Sequence, residues 1–235
     1  MHSKLLAEFR GLFDGVKYLH RKSNQGDRVA SYLYEDLLQL ARSPKLVAAI
    51  SSKSHVINSA NKTVGRDARR GDGTFGERVP NVPPMDVPGI SVAFGQVATL
   101  EIGTEVKVLA KAMRKQLDRV CTDLTNQAAE FRKHGGRPIC VAVVGVNRSD
   151  SYTSYEGRRA FATDGKKYAH PKQEANQVEQ DLLHRVRQNF DEFVLLRFRA
   201  TNKRPYTFSW VDQTHTETEY GASLVRISIA YESRF

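Results

Sequence analysis

Residues 139–146 read Ile-Cys-Val-Ala-Val-Val-Gly-Val, an uninterrupted apolar run rich in β-branched side chains. A strand with one wet face alternates polar and apolar residues, so a run without alternation belongs to a strand covered on both faces. It is also far shorter than the roughly 18 residues of a membrane span. Before it stands the clearest helical period in the chain, with Leu109, Met113, Leu117, Val120, Leu124, Ala128 and Phe131 recurring every three or four residues. His134-Gly135-Gly136 supplies the stop. Before that helix lie two more β-branched runs, Val87 to Phe94 and Val97 to Val108. Strand, helix and doubly buried strand in that order require a right-handed parallel crossover. The expected architecture is therefore α/β, a central mixed sheet flanked by helices.

The remaining patterns extend this frame. Leu5, Phe9, Leu12, Val16 and Leu19 share one helix face. After a polar break at Ser23 to Gly26, Asp27 can cap a second helix through about Arg42, with Leu33, Leu37 and Leu40 inward and Pro44 beyond its end. Val56-Ile57 can form a short strand, and residues 61–84 read as a basic loop punctuated by Gly and Pro. A later helix is expected from about Lys172 to Asn189. Strand-like runs follow at Glu192 to Arg199, Tyr206 to Val211 and Ser223 to Tyr231. One domain over residues 1–235 accounts for these elements, with N-terminal helices in 1–45, a central hairpin, helix and strand in 84–146, and a helix and sheet extension in 172–235.

The functional residues are expected in the central hairpin. Gly95-Gln96 suits a two-residue type II′ turn between the runs that flank it. In that register Asp86 faces Glu105, and Lys107 lies on the same sheet face as Glu105, two residues along. Two carboxylates and an ammonium would converge. An ordinary cross-strand ion pair is the competing account of the same residues.

An acid after a proline, a turn, then acid-x-Lys on a strand resembles the signature of the PD-(D/E)xK nuclease superfamily, which includes restriction endonucleases and repair nucleases. Here it reads Pro84-Met85-Asp86 and Glu105-Val106-Lys107, with one residue more than usual between proline and acid. A second match, Asp164-Gly165-Lys166, lies in a polar stretch without a strand pattern. The resemblance implies a restriction-endonuclease-like fold and hydrolysis of a phosphodiester by metal-activated water. Asp86, Glu105 and Lys107 would be catalytic, and Asp86, Glu105 and Val106 would hold Mg²⁺, for which Mn²⁺ can substitute. Carboxylates suit such a hard cation, and a neighbouring lysine can position water and offset phosphate charge. The superfamily often adds an acid from a preceding helix, where this chain offers Glu35 or Asp36; Asp72 is the rival of Asp86 for the first metal acid, and Gln116 follows Lys107 at a spacing some branches use. A homodimer, or a subunit of a phage-defence or repair assembly, is a further implication.

Charge points to the same class of partner. Thirty-six Lys and Arg against 26 Asp and Glu give a net charge of +10, which suits a polyanion such as double-stranded DNA or RNA. Candidate phosphate contacts are Arg69 and Arg70 in the loop, Lys111, Arg114 and Lys115 at the start of the central helix, and Arg148, Arg158 and Arg159 in a polar stretch interleaved with tyrosines. A noncatalytic nucleic-acid-binding module on a nuclease-like scaffold is the alternative function. No apolar run is long enough for a membrane segment and no export signal pattern opens the chain, so a cytoplasmic location is expected. Cys121 and Cys140 read as buried thiols without metal-type spacing. Motifs for nucleotide-phosphate binding, serine hydrolysis and zinc peptidase chemistry are absent from the sequence.

Overall fold

The computed structural model describes residues 3–20, 25–59, 71–133, 136–156 and 159–235. Its elements in chain order are α1 (Lys4–Gly11), α2 (Gln25–Leu40), α3 (Pro44–Ser51), β1 (His55–Asn58), β2 (Gly73–Arg78), β3 (Met85–Val87), β4 (Ile90–Gly95), β5 (Val97–Leu109), α4 (Met113–Arg132), β6 (Ile139–Asn147), β7 (Tyr152–Glu156), β8 (Arg159–Thr163), α5 (Pro171–Arg185), β9 (Glu192–Ala200), β10 (Phe208–Trp210) and α6 (Gln213–Arg234). Eight strands form one mixed sheet in the order β10-β9-β6-β5-β2-β1-β4-β3, and β7 and β8 form a separate pair.

The doubly covered strand sits where its composition requires. All nine residues of β6 are buried, and β6 pairs in parallel with β5 from Ile102↔Ile139 to Leu109↔Val146 and with β9 on its other edge. Val141 and Val143 pack into a core with α1, α2, α3 and α6, whereas Val144 and Val146 pack into a second core with α4 and α5. Burial of each of these valines contributes about 1.5–3 kcal/mol. The α/β class and the parallel crossover from β5 through α4 to β6 are thus present. No helix among the described residues is long and apolar enough to cross a membrane.

Several local expectations are corrected. The Gly95-Gln96 hairpin does not form: β4 pairs with β1 and β3, and β5 pairs with β2 and β6. β2 lies within the expected loop. Its Phe75 is fully buried against the Tyr34 ring, at a centroid separation of 5.4 Å. Residues 223–231 are helical, because Tyr220, Leu224, Ile227 and Tyr231 bury one face at helical spacing while Ile229 stays 55% exposed. Asp212 caps that helix by accepting from the His215 N–H at 2.9 Å. Helix α1 ends at Gly11, and Val16 is exposed. Pro44 does not merely follow α2; it opens α3, whose Ser43 side chain caps the Leu46 N–H.

Candidate active site

Alternation along β5 sets Glu105 and Lys107 on one face. Lys107 Nζ stands 2.6 Å from Glu105 Oε1, and Glu105 is buried. On the opposite face Thr104 meets the Tyr34 hydroxyl at 3.1 Å, which ties β5 to α2.

The partner carboxylate is Asp72. β2 runs antiparallel to β5 with Gly73 opposite Thr104, so one further step of the same register brings Asp72 to the level of Glu105. There it leaves the ladder and accepts from the Val106 N–H at 2.7 Å through Oδ2. A strand residue directs its N–H and C=O to the same edge. The Val106 carbonyl therefore lies on the edge beside Asp72, beyond the point where β2 pairing begins. Two glycines make room for the acids. Gly71 has φ +67°, and a Cβ there would lie 3.1 Å from Glu105 Oε2, while a Cβ on Gly26 at the start of α2 would lie 2.5 Å from Asp72 Oδ1.

The electrostatics follow from this crowding. Burial, and then the charge of Glu105, push the Asp72 carboxyl up to about 7, against the opposing effects of the Val106 N–H and Lys107; Asp27 adds to the rise. For Lys107, burial works against the charged form, but Glu105, Asp72 and Asp123 outweigh it and the net direction is upward. A cation between the carboxylates would relieve this repulsion.

Asp72, Val106 and Lys107 open into a cleft of about 1250 Å³. Lys111, Gln116, Arg119 and Asp123 line it, as do Tyr18, His20 and Tyr155. Gln116 donates from Nε2 to the Lys111 carbonyl at 2.8 Å, which fixes the turn into α4. The space exceeds the usual ~300–1,000 Å³ of a small-molecule pocket, and its walls carry both signs of charge.

Asp86 is not part of this arrangement. It lies on the edge strand β3, separated from β5 by β4, β1 and β2, and is held exposed by Lys53 at 2.7 Å. The pairing of Asp86 with Glu105 failed because its premise, a local hairpin, gave way to pairing with a more distant strand. Glu35 and Asp36 are also elsewhere, and both are buried despite lying off the leucine stripe. Glu35 accepts from the Ser91 and Val92 N–H groups at 2.6 and 2.7 Å and pairs with Lys4. Burial raises its carboxyl pKa, but Lys4 and these donors outweigh that and hold it below the ordinary value. Asp36 accepts from the N–H groups of Lys4 and Leu5, the Ser3 hydroxyl and the Tyr220 hydroxyl. Both acids therefore fasten α2 to its neighbours.

Among the expected phosphate contacts, Lys111 lines the cleft, while Arg114 and Lys115 are exposed in the first turn of α4. Arg148 is engaged with Glu179, which also holds Arg197. Arg159 is exposed on β8, and Arg69, Arg70 and Arg158 lie outside the described residues. Sequence reasoning missed Arg119 and Asp123 in the cleft wall and Asp27 beside Asp72. The first two had a visible signal, since Gln116, Arg119 and Asp123 follow at spacings of three and four and form a polar stripe on α4.

No family model, curated protein or solved structure matches the chain. Among the described residues no group of three or more His, Cys, Asp and Glu side chains is arranged to hold a metal ion. The oxygens that could serve a cation at this site are two carboxylates and a backbone carbonyl. That set fits Mg²⁺, which is commonly held by one or two carboxylates with water and substrate phosphate completing the shell.

Proposed function

We propose that the chain is a Mg²⁺-dependent deoxyribonuclease of the PD-(D/E)xK kind, with Asp72 taking the place expected of Asp86. The observation that carries this reading is the convergence of Asp72, Glu105 and Lys107 at one end of β5, where Asp72 and Lys107 line a cleft that also receives Lys111 and Arg119. Asp72, Glu105 and the Val106 carbonyl would hold the cation, which when bound polarises the phosphate and lowers the pKa of water. Lys107 would orient the attacking water and offset charge building on the phosphate. Lys111 and Arg119 would bind flanking phosphates.

The test is cleavage of a varied panel of DNA and RNA substrates with Mg²⁺ or Mn²⁺, compared with the same reactions in EDTA. Asp72→Ala, Glu105→Ala and Lys107→Ala should each reduce cleavage by about 10²-fold or more while the circular dichroism spectrum is preserved. A wild-type protein that cuts nothing on the panel and binds no Mg²⁺ by calorimetry would overturn the reading.

The 2.6 Å contact between Lys107 and Glu105 favours one second reading, a noncatalytic nucleic-acid-binding module in which the charged groups form a structural network. Calorimetric Mg²⁺ titration separates the two, because the module has no metal-binding step that depends on Asp72.

A further inference from the structure

Three segments far apart in the chain meet beside the cleft and are tied together by one side chain. Asn202, which is buried, accepts from the Tyr18 N–H at 2.8 Å and donates to the Tyr18 carbonyl at 3.1 Å and to the Thr153 carbonyl at 2.8 Å. The Gly15 N–H adds a bond to the Tyr206 carbonyl at 2.8 Å. The segment around Lys17, strand β7 and the turn at Lys203 are therefore one unit whose geometry is fixed by buried hydrogen bonds. Tyr206 has φ +59°, a left-handed conformation uncommon for an aromatic residue, and its N–H is held by the Lys203 carbonyl at 2.7 Å. Strain of this kind collects at functional sites.

What the unit presents is aromatic and basic. Tyr155 and Tyr206 are half-buried and joined by a side-chain hydrogen bond. Lys17 Nζ sits 3.7 Å from the centre of the Tyr155 ring, the charge of Arg204 acts on the Tyr155 hydroxyl, and Lys17, Lys203 and Arg204 are all exposed. The one acid in residues 14–20, Asp14, is already paired with Arg10 at 2.7 Å, and residues 201–207 contain none. This platform is continuous with the candidate active site, because Tyr155 and the exposed His20 line the cleft that contains Asp72 and Lys107.

We propose that this platform holds the unpaired bases of single-stranded DNA whose backbone runs into the cleft; the inference rests on the nucleic-acid reading of the site. An aromatic side chain gains by stacking only on a base that is not already stacked within a duplex, and such stacking tolerates any sequence. Lysine and arginine interleaved with the rings follow the backbone of the same strand. Against a duplex the rings would have no base face to meet, and the cations alone would contribute. The strand that reaches Asp72 and Lys107 is therefore unpaired.

Fluorescence anisotropy in EDTA at ~0.15 M salt tests this without cleavage, using three labelled probes of equal length: a random-sequence DNA strand, its duplex, and an abasic strand that keeps the phosphates and lacks the bases. Wild type should bind the strand at least about tenfold more tightly than either of the others. Tyr155→Ala should weaken binding of the strand by roughly 5- to 150-fold, the scale of one lost stacking contact, and leave the abasic strand within about twofold. Tyr155→Trp, which keeps a stacking ring, should retain most of the affinity. If circular dichroism shows Tyr155→Ala misfolded, replacing the exposed Lys203 and Arg204 together by Ala should still weaken the strand at least about fivefold and flatten its salt dependence. Duplex or abasic probe bound as tightly as the strand, no binding of the strand, Tyr155→Trp as weak as Tyr155→Ala, or folded variants that bind like wild type would each overturn the platform. Cleavage with Mg²⁺ is read separately: a protein that shows the platform effect and cuts nothing loses only the nuclease reading, and one that cuts DNA but fails these binding tests loses only the platform.

Discussion

Replacing Asp72 with Asn tests the candidate site without requiring a substrate. The Asp72 carboxyl moves from an ordinary value of 3.8 to about 7 in the fold, through burial and the charge of Glu105. Its pKa is raised, so its stabilising contribution is present below about pH 4 and is lost as pH rises through about 7, where the folded site must accept a second negative charge. At ~1.4 kcal/mol per pKa unit this cost reaches about 4 kcal/mol, and the open cleft mouth tempers it to roughly 2–4 kcal/mol. Asn keeps an oxygen for the Val106 N–H and carries no charge. In EDTA, stability from urea melts should therefore fall between pH 4 and pH 8 in wild type relative to Asp72→Asn by about 2–4 kcal/mol. For a chain of this size that difference is a Tm gap of roughly 5–15 °C. Saturating Mg²⁺ at pH 8 should close most of the gap by binding wild type alone. If the two proteins show parallel stability profiles within about 0.5 kcal/mol, Asp72 and Glu105 do not share a site and the proposed donor pair is wrong.

Lys107→Ala should reduce cleavage by roughly 10²–10⁴-fold, the usual scale for losing a positioned acid-base group, and Glu105→Ala, which takes away a proposed metal ligand, should reduce it at least as far; Asp86→Ala should leave cleavage within about twofold and change stability by less than about 1 kcal/mol, because its pair with Lys53 is exposed. Glu35→Ala should cost about 2–5 kcal/mol in urea unfolding, since it strands the Ser91 and Val92 N–H groups. Tyr220→Phe removes the buried hydroxyl that donates to Asp36 at 2.8 Å and should cost about 1–2 kcal/mol by the same assay.

The sequence by itself determined the α/β class, the doubly buried strand at 139–146, the long helix before it and the crossover joining them, because each depends on side-chain periodicity within one segment. It also singled out Glu105 and Lys107 as neighbours on one strand face. It left β2 unread, because Gly73 and Gly76 supply no side chains to the alternating pattern that would have marked Gly73–Arg78 as a strand. It read 223–231 as a strand, because Val225, Ile227 and Ile229 alternate along a stretch whose buried face is helical. Only the tertiary structure decided that β5 pairs with β2, and with that pairing it exchanged Asp86 for Asp72. Pattern fixes which face of a strand is apolar, but the choice of neighbour rests on contacts between segments far apart in the chain, and no local period records them.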